Sequence, residues 1–183
     1  PCGNFCDVCF QKRIRLKTGN DKLQSLHRLD RETAGFVLVS VNPETSSCYH
    51  ALFEHHKITK TYQALACVGT EEMPTKHWVI KNRLEKSNPR FVMHAVSGVD
   101  NAHSVIDCVE QRGGEGLFEL SPVTGKTHQL RVHMASIGHP IMNDKVYPIL
   151  KPKAADDFSK PLQLLATKLM FVDPIEQVDR VFY

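Results

Sequence analysis

The most specific stretch of this 183-residue chain reads Pro122-Val123-Thr124-Gly125-Lys126-Thr127-His128-Gln129-Leu130-Arg131-Val132-His133-Met134. Thr124-Gly125 predicts a turn, and residues 126–137 predict a helix that ends at Gly138. Four donor side chains stand at the start of this helix: Lys126, Thr127, His128 and Gln129. Because the backbone N–H groups and partial positive charge of a helix N-terminus lie there too, the stretch is typical of a phosphate-binding site.

Arg131 lies within the predicted helix, three residues after His128, so the two side chains share one face. Leu130 and Met134 share another face, which we expect in the core. The guanidinium of Arg131 could reach a carboxylate from a separate segment and form a bidentate pair. We expect that carboxylate to be Asp30.

Before and after this stretch, short apolar runs predict strands. Strands are predicted at residues 36–41, 60–68, 90–96, 104–109, 117–120 and 164–172. A helix is predicted to start at Asn42-Pro43-Glu44, which combines a capping side chain, a proline and an acid. Several strands with two or three inserted helices predict an α+β domain around a mixed, mostly antiparallel sheet.

A second informative stretch places an aspartate between two arginines: Leu26-His27-Arg28-Leu29-Asp30-Arg31-Glu32-Thr33-Ala34-Gly35. It runs directly into the strand predicted at residues 36–41, so it is expected to form a loop at a sheet edge. Opposite charges nearby favour the ionised carboxylate of Asp30. Such a group can act as a nucleophile or stabilise a cation, and a surface salt-bridge cluster is the alternative.

A third stretch, Lys60-Thr61-Tyr62-Gln63-Ala64, lies on a predicted strand. Lys60 and Tyr62 therefore share one face of that strand. A tyrosine beside a lysine can stack on a nucleic-acid base, or accept a proton if its pKa is lowered. Half-buried packing is the alternative.

Composition excludes several classes of protein. The apolar fraction of 42% and charged fraction of 23% are those of a globular chain of about one domain. No apolar run approaches the roughly 20 residues of a membrane span, and the six spread cysteines favour reduced thiols. We therefore expect a cytoplasmic protein with no membrane association. The net charge of +3 names no partner, but residues 55–62 and 121–141 contain basic side chains and no acid, which favours a face that meets phosphates.

Cofactor motifs are missing from the sequence. It contains no GxGxxG or GxxxxGK[ST], which argues against a nucleotide cofactor, and no HExxH. Cys2, Cys6 and Cys9 have metal-like spacing, but a closed zinc site needs four ligands and the next cysteine is Cys48. We expect no metal and no cofactor. Residues 1–17 form an atypical N-terminal segment, interpreted as truncated, before one domain over residues 18–183.

Together the three stretches resemble the RluA-type family of RNA pseudouridine synthases. Residues 27–35 are similar to the family's HRLDxxTSG loop, and residues 60–64 to its K-x-Y-x-A strand. Residues 125–133 are similar to its G-[RK]-T-H-Q-[LI]-R-V-H motif. The stretch Gly138-His139-Pro140-Ile141-Met142-Asn143-Asp144 is similar to its G-H-P-I-x-x-D motif. The chain departs from the family pattern at Ala34, Leu165 and Asp173.

The resemblance implies a fold, an activity and a set of site residues. The fold is the pseudouridine synthase catalytic fold, with peripheral helices and a central RNA-binding cleft. Asp30 would be the catalytic aspartate, Tyr62 the residue that stacks on uracil and the candidate base, and Arg131 the partner of the aspartate. The RNA-binding residues would be His27, Arg28, Arg31, Lys60, Lys126, Thr127, His128 and Gln129. The partner would be ribosomal RNA of the large subunit or transfer RNA, and the enzyme a monomer. A catalytically silent RNA-binding module of the same fold is the alternative, and a metal-dependent hydrolase a weaker one.

Overall fold

The computed structural model describes residues 10–152 and 159–183. The helices of this part are Phe10–Thr18 (α1), Pro43–Glu54 (α2) and Gln129–Ser136 (α3). Its strands are Gln24–Ser25 (β1), Ala34–Gly35 (β2), Val39–Ser40 (β3), Thr59–Cys67 (β4), His77–Lys86 (β5), Met93–Val96 (β6), Ala102–Arg112 (β7), Glu115–Pro122 (β8), Leu164–Val172 (β9) and Asp179–Phe182 (β10). No helix in these ranges is both long enough and apolar enough to cross a bilayer.

The central sheet has the strand order β10-β9-β4-β8-β7-β5-β6, and every neighbouring pair along that path is antiparallel. The short strand β2 adds to β9 in parallel. Strands β1 and β3 form a separate antiparallel pair. The predicted α+β fold with a mixed, mostly antiparallel sheet is therefore confirmed.

The main core lies between α3 and one face of the central sheet. Alternate residues of β4, β7 and β8 point to that face, because successive strand side chains alternate between faces. Ile106 and Phe118 are fully buried there, beside Leu130 and Met134 of α3. The four-residue spacing of Leu130 and Met134 puts them on one side of the helix, as predicted.

Helix α2 begins where the sequence predicts. Asn42 caps it, with its side-chain oxygen accepting a hydrogen bond from the backbone N–H of Glu44 at 3.0 Å. Leu52 packs against Leu169 and Phe171 of β9. This contact fixes α2 beside the edge of the sheet where the catalytic-loop candidate, residues 26–35, attaches.

The prediction of one buried strand over residues 36–41 is wrong in its extent. Only the two-residue strands β2 and β3 form in this region of the described chain. Gly35 has φ +111°, and a Cβ at this position would lie 2.2 Å from the carbonyl oxygen of Ala166. The backbone thus contacts β9 at Gly35 and then leaves the sheet. The apolar residues that follow therefore do not form a long strand paired with β9.

Other differences concern element ends. α3 begins at Gln129 rather than Lys126, because His128 has φ +53°, a left-handed conformation that does not continue into a helix. Gly138 has φ +84° and follows the helix end, as predicted. Five elements lie outside those predicted from the sequence: α1, β1, β2, β5 and β10.

Candidate active site

A cleft of about 360 Å³ opens at the meeting point of three segments. These are residues 26–35 (called the catalytic loop after the family motif that it resembles), the first half of β4, and the turn before α3 (residues 122–128). The cleft is lined by four cationic side chains, Arg28, Lys60, Lys126 and Arg131, and by one acidic side chain among the described residues, Asp30. The predicted meeting of all three sequence stretches is thus found in the structure.

The catalytic loop is fixed at both sides. Its two flanks are joined by the β1–β3 pair and by the backbone hydrogen bond from Leu26 N to Leu38 O at 3.0 Å. Its end is joined to the central sheet through β2 and β9. At the tip, the N–H of Thr33 donates to the carbonyl of Asp30 at 3.0 Å. A tight turn therefore presents the Asp30 side chain to the cleft.

His27 braces this loop from the inside. Its Nε2 accepts a hydrogen bond from the N–H of Leu38 at 2.9 Å, and its ring stacks on Phe53 of α2 at 4.7 Å. Burial lowers the pKa of His27 to about 4, with a further contribution from the charge of Lys60. The ring is therefore neutral at pH 7. His27 lines the cleft as predicted, but its Nε2 is used to hold the loop.

Lys60 and Tyr62 both face the cleft, as the strand alternation predicts. Burial lowers the pKa of Lys60, and its Nζ lies close to the turn, 3.6 Å from where a Cβ on Gly125 would be. Burial and the charge of Asp30 raise the pKa of Tyr62 to about 12. The lowered pKa that would make the Tyr62 hydroxyl a ready base is therefore not found.

Gln129 lines the cleft and forms hydrogen bonds within the protein through its whole side-chain amide. Its Nε2 donates to His103 O at 2.9 Å and to Ser104 Oγ at 2.8 Å. Its Oε1 accepts from Thr124 Oγ1 at 2.7 Å and from Lys126 N at 3.0 Å. An amide has two donor hydrogens and two acceptor lone pairs, so all of them are used within the free protein. The side chain ties the turn to β7, and its contact with RNA stays a prediction.

Two of the predicted RNA-binding residues, His128 and Arg31, do not line the cleft. His128 points its Nδ1 to the hydroxyl of Tyr147 at 3.0 Å, and burial together with the charge of Arg131 lowers its pKa. Arg31 is exposed and also stands outside the lining. Lys126 and Thr127 are exposed at the cleft, where the left-handed backbone of His128 turns the chain into α3.

Arg131 does not pair with Asp30, and that prediction is corrected. Its Nε donates to Asp144 Oδ2 at 2.8 Å and its Nη2 to Asp144 Oδ1 at 2.6 Å, in a buried bidentate pair. Glu32 lies 4.0 Å from Nη2, and the guanidinium carbon lies 5.4 Å from the ring centre of Tyr147. Burial works against the charged guanidinium, but the hydrogen bonds and charge of Asp144, and the charge of Asp30, raise the pKa of Arg131 overall.

Asp144, Tyr147 and Glu32 were missed as parts of the site. Asp144 ends the stretch that resembles G-H-P-I-x-x-D, so a signal for it existed. Nothing local indicated its partner, because the pair joins a residue of α3 to a loop residue 13 positions later. Glu32 lies two residues after Asp30, and its second oxygen is 3.3 Å from Lys145 Nζ. This ion pair joins the catalytic loop to the loop after α3.

No group of three or more His, Cys, Asp or Glu side chains within residues 10–152 and 159–183 is arranged to hold a metal ion. Cys2, Cys6 and Cys9 lie outside the described residues.

Comparisons with known proteins agree with this geometry. The family described as RNA pseudouridylate synthase matches residues 2–136. An RNA pseudouridine synthase of Haemophilus influenzae, described as uncharacterized, is 35% identical over 126 residues, which are 69% of this chain and 55% of that protein. The tRNA pseudouridine synthase C of Vibrio vulnificus is 32% identical over 169 residues, 85% of this chain and 69% of that protein.

A solved structure shows the same fold. Human RNA pseudouridylate synthase domain containing 1 superimposes with a TM-score of 0.78 at 23% identity, covering 97% of this chain and 74% of that one. The chain spans only part of its relatives: its match to the Haemophilus protein covers 55% of that protein's length. From the family match and these relatives, the chain belongs to the RluA-type family of RNA pseudouridine synthases.

Proposed function

We propose that this chain isomerises uridine to pseudouridine in folded RNA, with Asp30 as the catalytic carboxylate. The observation that carries the proposal is the position of Asp30: it is the one acidic side chain among the described residues lining a cleft with four cations. Cationic side chains attract the phosphates of RNA, and the carboxylate remains available for chemistry at a sugar. The family membership supports the same reaction.

The reaction needs no second reactant. The N1–C1′ bond breaks and its electron pair leaves with the uracil, which turns so that C5 bonds to C1′. The hydrogen on C5 is then lost as a proton, and N1 gains one. As positive charge develops on the sugar during cleavage, a fixed anion near C1′ stabilises it, as in glycoside hydrolysis. Asp30 supplies that anion.

Tyr62 is proposed as the surface on which the uracil stacks. Its ring lies on the cleft wall with Asp30 close enough for the carboxylate charge to raise the pKa of the hydroxyl. Because that pKa is raised to about 12, the ring is the more useful part of the side chain in the free enzyme. A base role for the hydroxyl would require the bound RNA to lower this pKa.

The target uridine must leave its stack to reach the cleft. Flipping a nucleotide costs a few kcal/mol, which stacking and phosphate contacts offset. Arg28 and Lys126 are exposed at the cleft rim, and Lys60 lies deeper beside Gly125. We propose Arg28 as the side chain that fills or holds the space of the flipped nucleotide, and the lysines as phosphate contacts.

Transfer RNA is the substrate class we favour over ribosomal RNA. Relatives that match most of this chain are described as tRNA pseudouridine synthase C. A monomeric, cytoplasmic enzyme that needs no nucleotide cofactor remains a prediction. The silent RNA-binding module is disfavoured because Asp30, Tyr62 and Arg131 all line one cleft.

The test uses the purified chain with tRNA and ribosomal RNA transcripts labelled with tritium at uridine C5. Pseudouridine formation releases the label. We expect release from the wild-type protein, none from Asp30→Asn, and wild-type release from Asp21→Asn, an exposed aspartate in a turn that does not line the cleft. Asp30→Asn should bind RNA as tightly as the wild type. Turnover by Asp30→Asn at the wild-type rate, or no turnover by wild type on either RNA class, would contradict the proposal.

A second measurement separates the roles of the Tyr62 ring and hydroxyl. Tyr62→Phe keeps the stacking face, so RNA affinity should be unchanged. Single-turnover reactions with uridine and with 5-fluorouridine RNA, which has no proton on C5, then decide the base role. Loss on uridine alone assigns the hydroxyl as the base. Little loss, or equal loss on both RNAs, leaves Tyr62 as a stacking and positioning residue.

A further inference from the structure

We propose that the side chain of His56 is a stacking position for the base of an RNA nucleotide that flanks the target uridine. The inference rests on the proposed function, because His56 lines the same cleft. His56 follows the end of α2 and belongs to residues 55–62, the stretch that contains basic side chains and no acid. The residues proposed for catalysis and for phosphate contacts do not include it.

The backbone of His56 adopts a conformation that usually belongs to glycine. His55 is the C-cap of α2, and His56 follows it with φ +54°. The N–H of His56 donates to Phe53 O at 3.3 Å, and the N–H of Lys57 donates to Leu52 O at 2.8 Å. These two hydrogen bonds define a Schellman motif, in which the left-handed residue is most often glycine. Because a Cβ is strained in this conformation, the chain holds an imidazole where glycine would be more stable.

The imidazole of His56 is not used inside the protein. The residue is exposed. Within residues 10–152 and 159–183 its side chain has no hydrogen bond, ion pair or ring contact. Strained backbone is concentrated at functional sites, where a ligand rather than internal packing uses the side chain. The His56 ring is therefore available to a ligand in the cleft.

The adjoining part of the cleft wall favours a base over a phosphate. Phe53 lies one helical turn before His56, lines the cleft, and stacks on the ring of His27 at 4.7 Å. The His27 ring is neutral at pH 7, because burial lowers its pKa to about 4. Two uncharged rings thus line the cleft next to the end of α2, and unstacked RNA bases stack on aromatic side chains, histidine included. Since the target uracil is assigned to Tyr62, the base at His56 is that of a neighbouring nucleotide.

The variant His56→Gly should change stability and RNA binding in opposite directions. The melting temperature should rise by about 2–4 °C, because glycine relieves the left-handed backbone in a chain of this size. The Kd for the tRNA transcript that the wild type modifies should rise about fivefold or more, which is the low end for one base–aromatic stack. A Kd within about twofold of wild type, or a lower melting temperature, would overturn the inference.

Gln177→Gly is the matched control. Gln177 is also exposed and left-handed, with φ +56°, and it does not line the cleft. The substitution removes one exposed hydrogen bond, from Gln177 Nε2 to Pro174 O, and relieves the same backbone conformation. Its melting temperature should also rise, with Kd and tritium release unchanged. An equal rise in Kd in both variants would show a general effect of the glycine and would overturn the inference.

An RNA that lacks one base shows which group His56 contacts. Two synthetic RNAs each carry an abasic nucleotide on one side of the modified uridine. If the ring stacks on one of these bases, removing the base and removing the ring abolish the same contact. With one of the two RNAs, His56→Gly should therefore raise Kd by no more than about twofold. The full loss of affinity with both RNAs would overturn the inference, and so would wild-type affinity in His56→Lys, which would show a phosphate contact.

Tritium release by the wild type separates this proposal from the proposed function. A wild type that releases no label counts against the proposed function. An active wild type whose Kd is unchanged by His56→Gly counts against the stacking position alone.

Discussion

Two aspartates of this chain make nearly the same local structure and are placed to do different things. Asp144 and Asp173 are both buried, at 4% and 6% exposure. Each accepts hydrogen bonds through Oδ1 from the backbone N–H groups two and three residues later. Each has a tyrosine hydroxyl or ring nearby and an arginine as ion-pair partner. We call them the Asp144 turn (residues 144–147) and the Asp173 turn (residues 173–176).

The two turns differ in the arginine that each one meets. Arg131 is 3% exposed and forms a bidentate pair with Asp144. Arg180 is 41% exposed, lies 3.5 Å from Asp173 through Nε, and also pairs with Glu176. The buried arginine reaches the cleft, while the exposed one lies on the edge strand β10. The same kind of turn therefore fixes both carboxylates. The fold decides whether the fixed carboxylate pairs with an arginine that lines the cleft or with one on the edge strand β10.

The largest expected contrast comes from deleting each arginine's charge. Arg131→Met leaves the Asp144 carboxylate buried without its cation, so the free energy of unfolding should fall by about 3–5 kcal/mol. Arg180→Met removes an exposed pair and should cost about 0–1 kcal/mol. Urea unfolding followed by circular dichroism measures both. Equal losses of unfolding free energy would contradict the expectation that the buried arginine contributes more to stability than the exposed one.

Removing the hydroxyl of Tyr147 or of Tyr49 should give a smaller difference in stability between the two turns. Tyr147→Phe leaves the buried N–H of Met93 without an acceptor, which should cost about 1–3 kcal/mol. Tyr49→Phe removes a hydroxyl that donates to Asp173, whose carboxylate keeps its backbone partners, so about 0.5–1.5 kcal/mol is expected. Thermal melting of both variants beside the wild type checks the order. A larger loss for Tyr49→Phe would contradict it.

The contribution of Asp173 to the free energy of unfolding should depend on pH. Hydrogen bonds from the backbone N–H groups of Glu176 and Ile175 hold the pKa of Asp173 below its ordinary value of 3.8. Because the folded pKa is lowered, the stabilisation is present above the unfolded pKa and is lost as pH falls below about 4. Asp173→Asn should therefore be less stable than the wild type at neutral pH, and the difference should shrink below about pH 4. A difference that stays constant from neutral to acid pH would contradict this.

The smallest effect is expected for lysine in place of the exposed arginine. Arg180→Lys should change the free energy of unfolding by less than about 0.5 kcal/mol and leave tritium release unchanged. Arg131→Lys keeps the charge but loses the fork, so its activity should fall clearly below that of wild type. Parallel urea melts and release assays compare them. Loss of activity in Arg180→Lys would link the Asp173 turn to the cleft and break the comparison.

Local sequence chemistry by itself determined much of this protein. The cap at Asn42 and the proline after it start α2, the apolar run at Leu164–Val172 is β9, and alternation places Lys60 and Tyr62 on one face. These features depend on neighbours within a few residues, where capping, proline geometry and side-chain period leave few choices. The three stretches that meet at the cleft were also recognisable, because their spacing is specific.

The tertiary structure alone decided which polar groups satisfy one another. Arg131 pairs with Asp144 rather than Asp30. The amide of Gln129 forms its hydrogen bonds with the turn and with β7. The residues after Gly35 do not continue as a strand, because β9 lies against that glycine. Each outcome depends on which distant backbone and side-chain groups the packing brings within about 3 Å, where a buried polar group must find a partner, and sequence separation does not determine that distance.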